Sequence, residues 1–301
     1  MLPLNLDPAE VYIDSLPAEG SKRAMRTSLR TIAKILTGEP DTTLIKWGEL
    51  TYAHTVAVRS YLSKNYKPKT INRMLASWRA ALKSAWRLGL IDSENYGRIA
   101  DVRSENIKER GAGRYLDKDE VEQLLMACER GDRNSDRRDL AILHIFLYAG
   151  LRRNELAMLD VGDFDMAERV INIRFGKGRK QRIAFIPTKT AQVIQEWLEV
   201  YQPEGGDSPL VVNIDRGDGV HKNRISTEAI YMIVQKRAAQ AGIESVSPHD
   251  FRRTYISNMF DRGVDISTIA QLVGHDSTAQ TSVYDRRKDS PKRRAADLLD
   301  D

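Results

Sequence analysis

One cysteine in 301 residues, Cys128, leaves no partner for a disulfide and no thiolate set for a metal. It lies on a helical apolar pattern with Val121, Leu124 and Leu125, which reads as core. No stretch reaches the ~18 consecutive apolar residues that a membrane helix needs. The opening MLPLNLDPAEV shows neither the basic nor the apolar segment of a secretory leader. Internal repeats and low-complexity tracts are also missing. What is present is 41% hydrophobic residues, enough for two cores, and 47 Lys and Arg against 42 Asp and Glu, a net charge of +5. So small an excess favours a polyanionic partner only where the cations cluster.

The chain reads as two domains joined by a basic segment: residues 1–104 helical, 105–115 linking, and 116–301 a second domain of mixed but mainly helical pattern with a small antiparallel sheet. In the first domain a helix over about Thr70–Leu88 places Ile71, Leu75, Trp78, Leu82 and Trp86 toward a core. Arg79, Lys83 and Arg87 ride a neighbouring stripe, and an earlier helix over about Ser21–Leu36 repeats the device with Lys22, Arg26 and Arg30. Such stripes are either solvated faces or rows of phosphate contacts; two in one small domain favour the second. From about Asp101 to Arg114 the chain turns polar, with Lys108, Arg110 and Arg114 among glycines, as in a flexible linker crossing an anionic backbone. Asp117 and Glu120 form a capping pair, and an apolar helix ends at Gly150. Val170–Phe175 and Arg182–Ile186 alternate like strands around Gly176-Lys177-Gly178, a hairpin. Helices follow at about Thr188–Tyr201, Thr227–Ala241, His249–Arg262 and Ile266–Val273.

Five short motifs stand in this second domain. They read Ala149-Gly150-Leu151-Arg152-Arg153-Asn154-Glu155-Leu156, Gly176-Lys177-Gly178, His249-Asp250-Phe251-Arg252, Leu272-Val273-Gly274-His275, and Tyr284 nine residues after His275. Each alone has an ordinary reading: a helix-end ion pair for Arg152, a capping histidine, an exposed turn for Lys177, a half-buried tyrosine. Together they supply a nucleophile, cations for an anionic centre and groups able to move protons. Arginine suits a clamp because its fork matches two oxygens and it stays charged. His249 and Arg252 share a face at a helix start that Pro248 supports. Arg153 reads as a solvent-facing neighbour of Arg152. No His, Asp or Glu stands at metal-ligand spacing from His275.

In this order the motifs resemble those of the tyrosine recombinases of the phage integrase family, across the catalytic domain and more loosely across the helical one. The resemblance implies an N-terminal SAM-like core-binding domain and a C-terminal mixed α/β catalytic domain. It implies site-specific recombination of double-stranded DNA, through a 3′-phosphotyrosyl intermediate and a Holliday junction, with no cofactor and no metal. Tyr284 is then the nucleophile, Arg152 and Arg252 the phosphate clamp, His249 the proton-transfer partner, His275 a phosphate donor, Lys177 the acid for the departing 5′ oxygen and Glu155 a support. Lys180 and Arg182 lie near enough in sequence to replace Lys177 in part. The commonest form of the third motif has a second histidine where this chain has Arg253. Tyr284 is expected on a short helix beginning near Ser277. The basic tail from Arg286 is expected on DNA, with the turn from Ala295 docking on a neighbour in a homo-tetramer that is monomeric or dimeric off DNA. Accessory DNA-bending or directionality factors and a cytoplasmic, nucleoid-associated location follow from the same reading. The start of the chain suggests no arm-binding domain. A type IB topoisomerase and an inactive DNA-binding regulator are the alternatives, and integration, transposon movement and dimer resolution all stay open.

Overall fold

The computed structural model describes residues 7–106, 113–174, 181–287, 293 and 296–297. The chain divides into two compact units, Met1–Arg110 and Gly111–Asp301.

The first unit is helical: α1 (Pro8–Asp14), α2 (Glu19–Thr37), α3 (Tyr52–Asn65), α4 (Pro68–Arg87) and α5 (Ser93–Ala100). Pro8 and Pro68 open α1 and α4, where a missing N–H costs nothing, and Gly38 closes α2 with φ 89°. Leu29, Ile32, Val58, Leu62, Ile71, Leu75, Trp78 and Leu82 form the core, each worth about 1.5–3 kcal/mol of burial. Trp78 stacks on Trp47 at 5.6 Å and donates to Thr55 Oγ1 at 3.1 Å. The expected core role of Trp86 does not hold. A 3.6-residue period carries the stripe to Ala85, while Trp86 is 37% exposed and stacks on Tyr96 instead.

The two basic stripes are not rows of free cations. Arg26 grips both oxygens of Glu10, at 3.1 and 2.7 Å, and Lys22 pairs with Glu19. Arg79 donates to the Val102 carbonyl at 2.5 Å and to Ser104. Arg30, Lys83 and Arg87 are exposed. Arg30 lines a groove with Lys34, Tyr61 and Tyr66.

The expected flexible linker is anchored at both described ends. Glu105 exchanges two backbone hydrogen bonds with the Asn72 amide and pairs with Arg59, so the chain is held on α3 and α4 to that point. Arg114 donates its backbone N–H to Asp250 at 2.6 Å and its side chain to Glu120, and Leu116 donates to Thr254. Lys108 and Arg110 lie outside the described residues.

In the second unit α6 (Lys118–Glu129) opens on the Asp117–Glu120 capping box, and α7 (Asn134–Ala149) runs through the core. Ala141, Ile142, Leu143, Ile145, Phe146, Leu147 and Ala149 of α7 are all buried, which no surface helix tolerates. Around it pack α6, α9 (Thr188–Tyr201) and α11 (Pro248–Asp261). The short α8 (Arg153–Ala157) leads to an antiparallel sheet of β1 (Phe164–Asp165), β2 (Val170–Ile173) and β3 (Arg182–Phe185), with Ile171 opposite Ala184 and Ile173 opposite Arg182. A second hairpin, β4 (Val212–Ile214) with β5 (Val220–Arg224), was not expected. Then come α10 (Thr227–Gln240), α12 (Ile266–Val273) and α13 (Thr278–Ser282). Cys128 is buried, and burial pushes its thiol up to about 12.

Candidate active site

Helix ends place every described candidate. α7 stops at Gly150 with φ 61°, and a Cβ there would sit 2.5 Å from the Tyr255 ring, so glycine is required by conformation and by space. Leu151 plugs the core, which fixes Arg152 at the start of α8. Glu155, 3% exposed, accepts from the Arg152 backbone N–H and from Arg152 Nη1, both at 2.8 Å. The same carboxylate takes a fork from Arg182, Nη1 to Oε1 at 3.0 Å and Nη2 to Oε2 at 2.7 Å. Burial alone raises a carboxyl, but the hydrogen bonds and charge of Arg182, with those of Arg152, bring Glu155 down to about 2.

α12 ends at Gly274, φ 63°, leaving unpaired carbonyls at the negative end of its dipole. Three successive carbonyls there are each taken by a different arginine. Leu272 O accepts from Arg182 Nε at 3.1 Å, Val273 O from Arg252 Nη2 at 2.5 Å, and Gly274 O from Arg152 Nη2 at 3.0 Å. Arg252 also donates to Gly150 O at 2.6 Å, joining the ends of α7 and α12. Its burial, and the nearby charges of Arg152 and Arg182, lower it to about 9, which leaves it charged at neutral pH. Three guanidiniums from α8, β3 and α11 therefore meet where the backbone offers carbonyl oxygens.

The nucleophile candidate completes the cluster within one subunit. Tyr284 sits two residues beyond α13 rather than on it, its N–H bonded to Thr281 O and its carbonyl accepting from Ser257 Oγ at 3.0 Å. Its hydroxyl is 3.4 Å from His249 Nε2, a long contact of the kind that tightens when substrate binds. His249 is the second residue of α11, behind Pro248, where Asp250 caps the helix through Ser247. The His275 ring stacks on Tyr284 at 5.9 Å, and its Nδ1 lies 2.8 Å from Thr281 Oγ1. Burial, then the charges of Arg252, Arg152 and Arg182, lower His275 to about 4, so it is a neutral imidazole at pH 7. Arg253 holds its guanidinium 5.8 Å from the Tyr284 ring centroid.

Lys177 falls outside the described residues. Arg182 is no spare acid for it: its guanidinium is tied to Glu155 and Leu272. Arg153 does not simply face solvent but lies over the Tyr231 ring at 5.8 Å, and both line a cavity with Arg152, His249 and Arg252. Arg286 and Arg287, expected on DNA, are tied to their own unit. Arg286 pairs with Asp261 and stacks on Tyr115, while Arg287 pairs with Asp285 and donates to Phe260 O. Of the turn from Ala295, only Ala296 and Asp297 are described, without a contact that places them.

Residues 114–290 match the phage integrase family profile. The chain belongs to the phage integrase family. It is 31% identical over 241 residues to the tyrosine recombinase XerC of Thermodesulfovibrio yellowstonii, covering 76% of each chain. In fold it is similar to a Tn1549 transposon integrase solved with transposon right-end DNA, at TM-score 0.75 and 15% identity, over 98% of this chain and 100% of that one. It is also similar to a lambda integrase tetramer bound to a Holliday junction, at TM-score 0.69 and 13% identity, over 92% of this chain and 75% of that one. This phage integrase family member is a tyrosine recombinase, an enzyme of site-specific DNA breakage and rejoining. Among the described residues no helix is long and apolar enough to cross a membrane.

Proposed function

We propose that Tyr284 attacks the scissile phosphorus, forming a 3′-phosphotyrosyl bond while the bond to the 5′ oxygen breaks. The observation that carries this reading is the Tyr284 hydroxyl lying 3.4 Å from His249 in the same subunit, beside guanidiniums that outnumber their carboxylate. A free phenol, with a pKa of about 10, is mostly protonated at neutral pH and needs a base. His249 takes that proton. Arg152 and Arg252 hold the nonbridging oxygens, exchanging backbone carbonyls for phosphate, and neutral His275 adds a hydrogen bond. Lys177 protonates the leaving oxygen, which becomes the free 5′ hydroxyl. One phosphodiester replaces another, so rejoining needs only attack by a partner strand's 5′ hydroxyl, which releases Tyr284.

The first unit then grips the recombination site with Arg30, Lys83 and Arg87, the exposed cations of its two stripes, mainly on phosphates. By likeness to the lambda integrase, four copies act on synapsed DNA through a Holliday junction. Activity on genomic or mobile-element DNA fits a nucleoid location.

A nicked suicide duplex, which traps the covalent intermediate because the short cleaved strand diffuses away, tests the reading under denaturing electrophoresis. Wild type gives a protein–DNA adduct and Tyr284→Phe gives none. Adducts of equal yield from both, or from neither, reject it.

A further inference from the structure

We propose that Arg182 is a positioning residue of strand cleavage, setting the phosphate-clamp arginine through Glu155 and the His275 turn through Leu272. The inference rests on the reading of Arg152 as the clamp. Arg182 stands on β3, opposite Ile173, so its backbone is fixed by a sheet. Its two terminal nitrogens hold both oxygens of Glu155 at 3.0 and 2.7 Å, and Nε holds the Leu272 carbonyl at 3.1 Å.

Arg152 grips the same carboxylate at 2.8 Å through its backbone N–H and again through Nη1, while its Nη2 reaches Gly274 O at 3.0 Å. Without the Arg182 fork only Arg152 itself holds the carboxylate, so guanidinium and carboxylate can shift together. On its other side Arg182 packs under Gly274, where an added Cβ would lie 3.2 Å from its Cδ. That contact and the Leu272 bond fix the turn that presents His275. With both terminal nitrogens on Glu155 and Nε on the Leu272 carbonyl, Arg182 acts through these groups rather than on the phosphate. A clamp displaced by about 1 Å costs on the order of 10²-fold in rate.

The experiment measures single-turnover adduct formation on suicide duplexes with three scissile linkages. One is the natural phosphodiester. The second is a methylphosphonate, in which a methyl replaces a charged nonbridging oxygen and reduces the need for cations. The third is a 5′-bridging phosphorothiolate, whose thiolate departs without an acid. Each variant is compared with itself across substrates, so the folded fraction cancels. Arg182→Met is expected to lose about 10²-fold on the phosphodiester and on the phosphorothiolate, and about tenfold less than that on the methylphosphonate. Arg182→Lys, with one charge but no fork, falls between Met and wild type, and serves alone if Arg182→Met does not fold. Arg152→Ala should show the same substrate pattern with a larger loss. Equal losses on all three linkages overturn the proposal in favour of a scaffold role, selective recovery on the phosphorothiolate makes Arg182 the acid, and full activity removes any role. If wild type forms no adduct, or Arg152→Ala keeps full rate, it is the reading of the clamp that fails.

Discussion

Around α7 of the second unit stand two groups of arginines, the first buried and the second buried only at Arg252. In the first, Arg237 of α10 donates to Asp139 at 2.8 Å and Asp136 at 2.6 Å, and Arg138 pairs with Asp139 at 2.7 Å. Two guanidiniums meet two carboxylates, and the charges balance. In the second, Arg152 and Arg182 share Glu155, the carboxylate that hydrogen-bonds within the cluster among the described residues, while Arg252 and the other bonds of the cluster go to carbonyls of Gly150, Leu272, Val273 and Gly274. A carbonyl satisfies an N–H without cancelling its charge. The first cluster is complete as it stands, whereas the second keeps an excess of positive charge that a phosphate diester would reduce. The same residue type thus serves cohesion in one place and, in the proposed mechanism, anion capture in the other, according to what faces it.

Removing the cation from each cluster should separate the two roles. The largest effect on folding is expected for Arg237→Met, which takes the guanidinium from Asp136 and leaves Asp139 with Arg138 alone, and should cost about 3–5 kcal/mol in urea unfolding. The corresponding Arg252→Met relieves crowding among cations, so its unfolding free energy should change by less than about 1 kcal/mol while adduct formation falls about 10²- to 10³-fold. If Arg252→Met unfolds as readily as Arg237→Met, the contrast between the clusters is wrong.

Acid sharpens the comparison further. Glu155 is held at about 2, below its unfolded value, so its contribution is complete above the ordinary carboxylate range and is lost as pH falls from 4.5 toward 2. His275 is held at about 4, also below its unfolded value of 6.5, so the unfolded chain takes up a proton first and stability declines as pH falls from 6.5 toward 4. Melting temperatures of wild type and His275→Gln across pH 7 to 4 should differ in slope in that upper window, with the variant flatter. Parallel curves would show that His275 is not a neutral, half-buried imidazole.

The smallest effects belong to the first unit. Arg30→Gln, Lys83→Gln or Arg87→Gln should each weaken DNA binding modestly and lower the slope of log affinity against log salt by about 1 for each phosphate left without its cation. Arg26→Gln should leave that slope unchanged, because its guanidinium is occupied by Glu10. A reduced slope for Arg26→Gln would return it to the DNA-facing stripe.

The reach of the sequence follows the range of the interactions. Arg152, His249, Arg252, His275 and Tyr284 were legible because each lies in a short motif at a helix end, and Gly150 and Gly274 mark those ends by composition alone. The helical character of the first unit was legible from its 3.6-residue period, though Trp86 shows how the last turn escapes such a count. The partners of Arg182 were not legible. Glu155 and Leu272 lie 27 and 90 residues away, and proximity in sequence to Lys177 suggested another role. Arg26 and Arg79 misled in the same way, since a helical stripe says which residues share a face but not that Glu10 or the Val102 carbonyl lies across from them. The β4–β5 hairpin was missed because its strands are short and rich in polar residues, leaving no alternation to read.

At the heart of the proposed mechanism, the excess cations and Tyr284 address one phosphate within one subunit. A crystal structure with a nicked recombination site carrying vanadate in place of the scissile phosphate measures this directly. The Tyr284 oxygen is expected at an apical position on vanadium, with Arg152 and Arg252 nitrogens about 3 Å from its equatorial oxygens. Vanadate bound away from Tyr284, or Arg152 and Arg252 still holding the Gly274 and Val273 carbonyls with no nitrogen turned to it, would refute the mechanism.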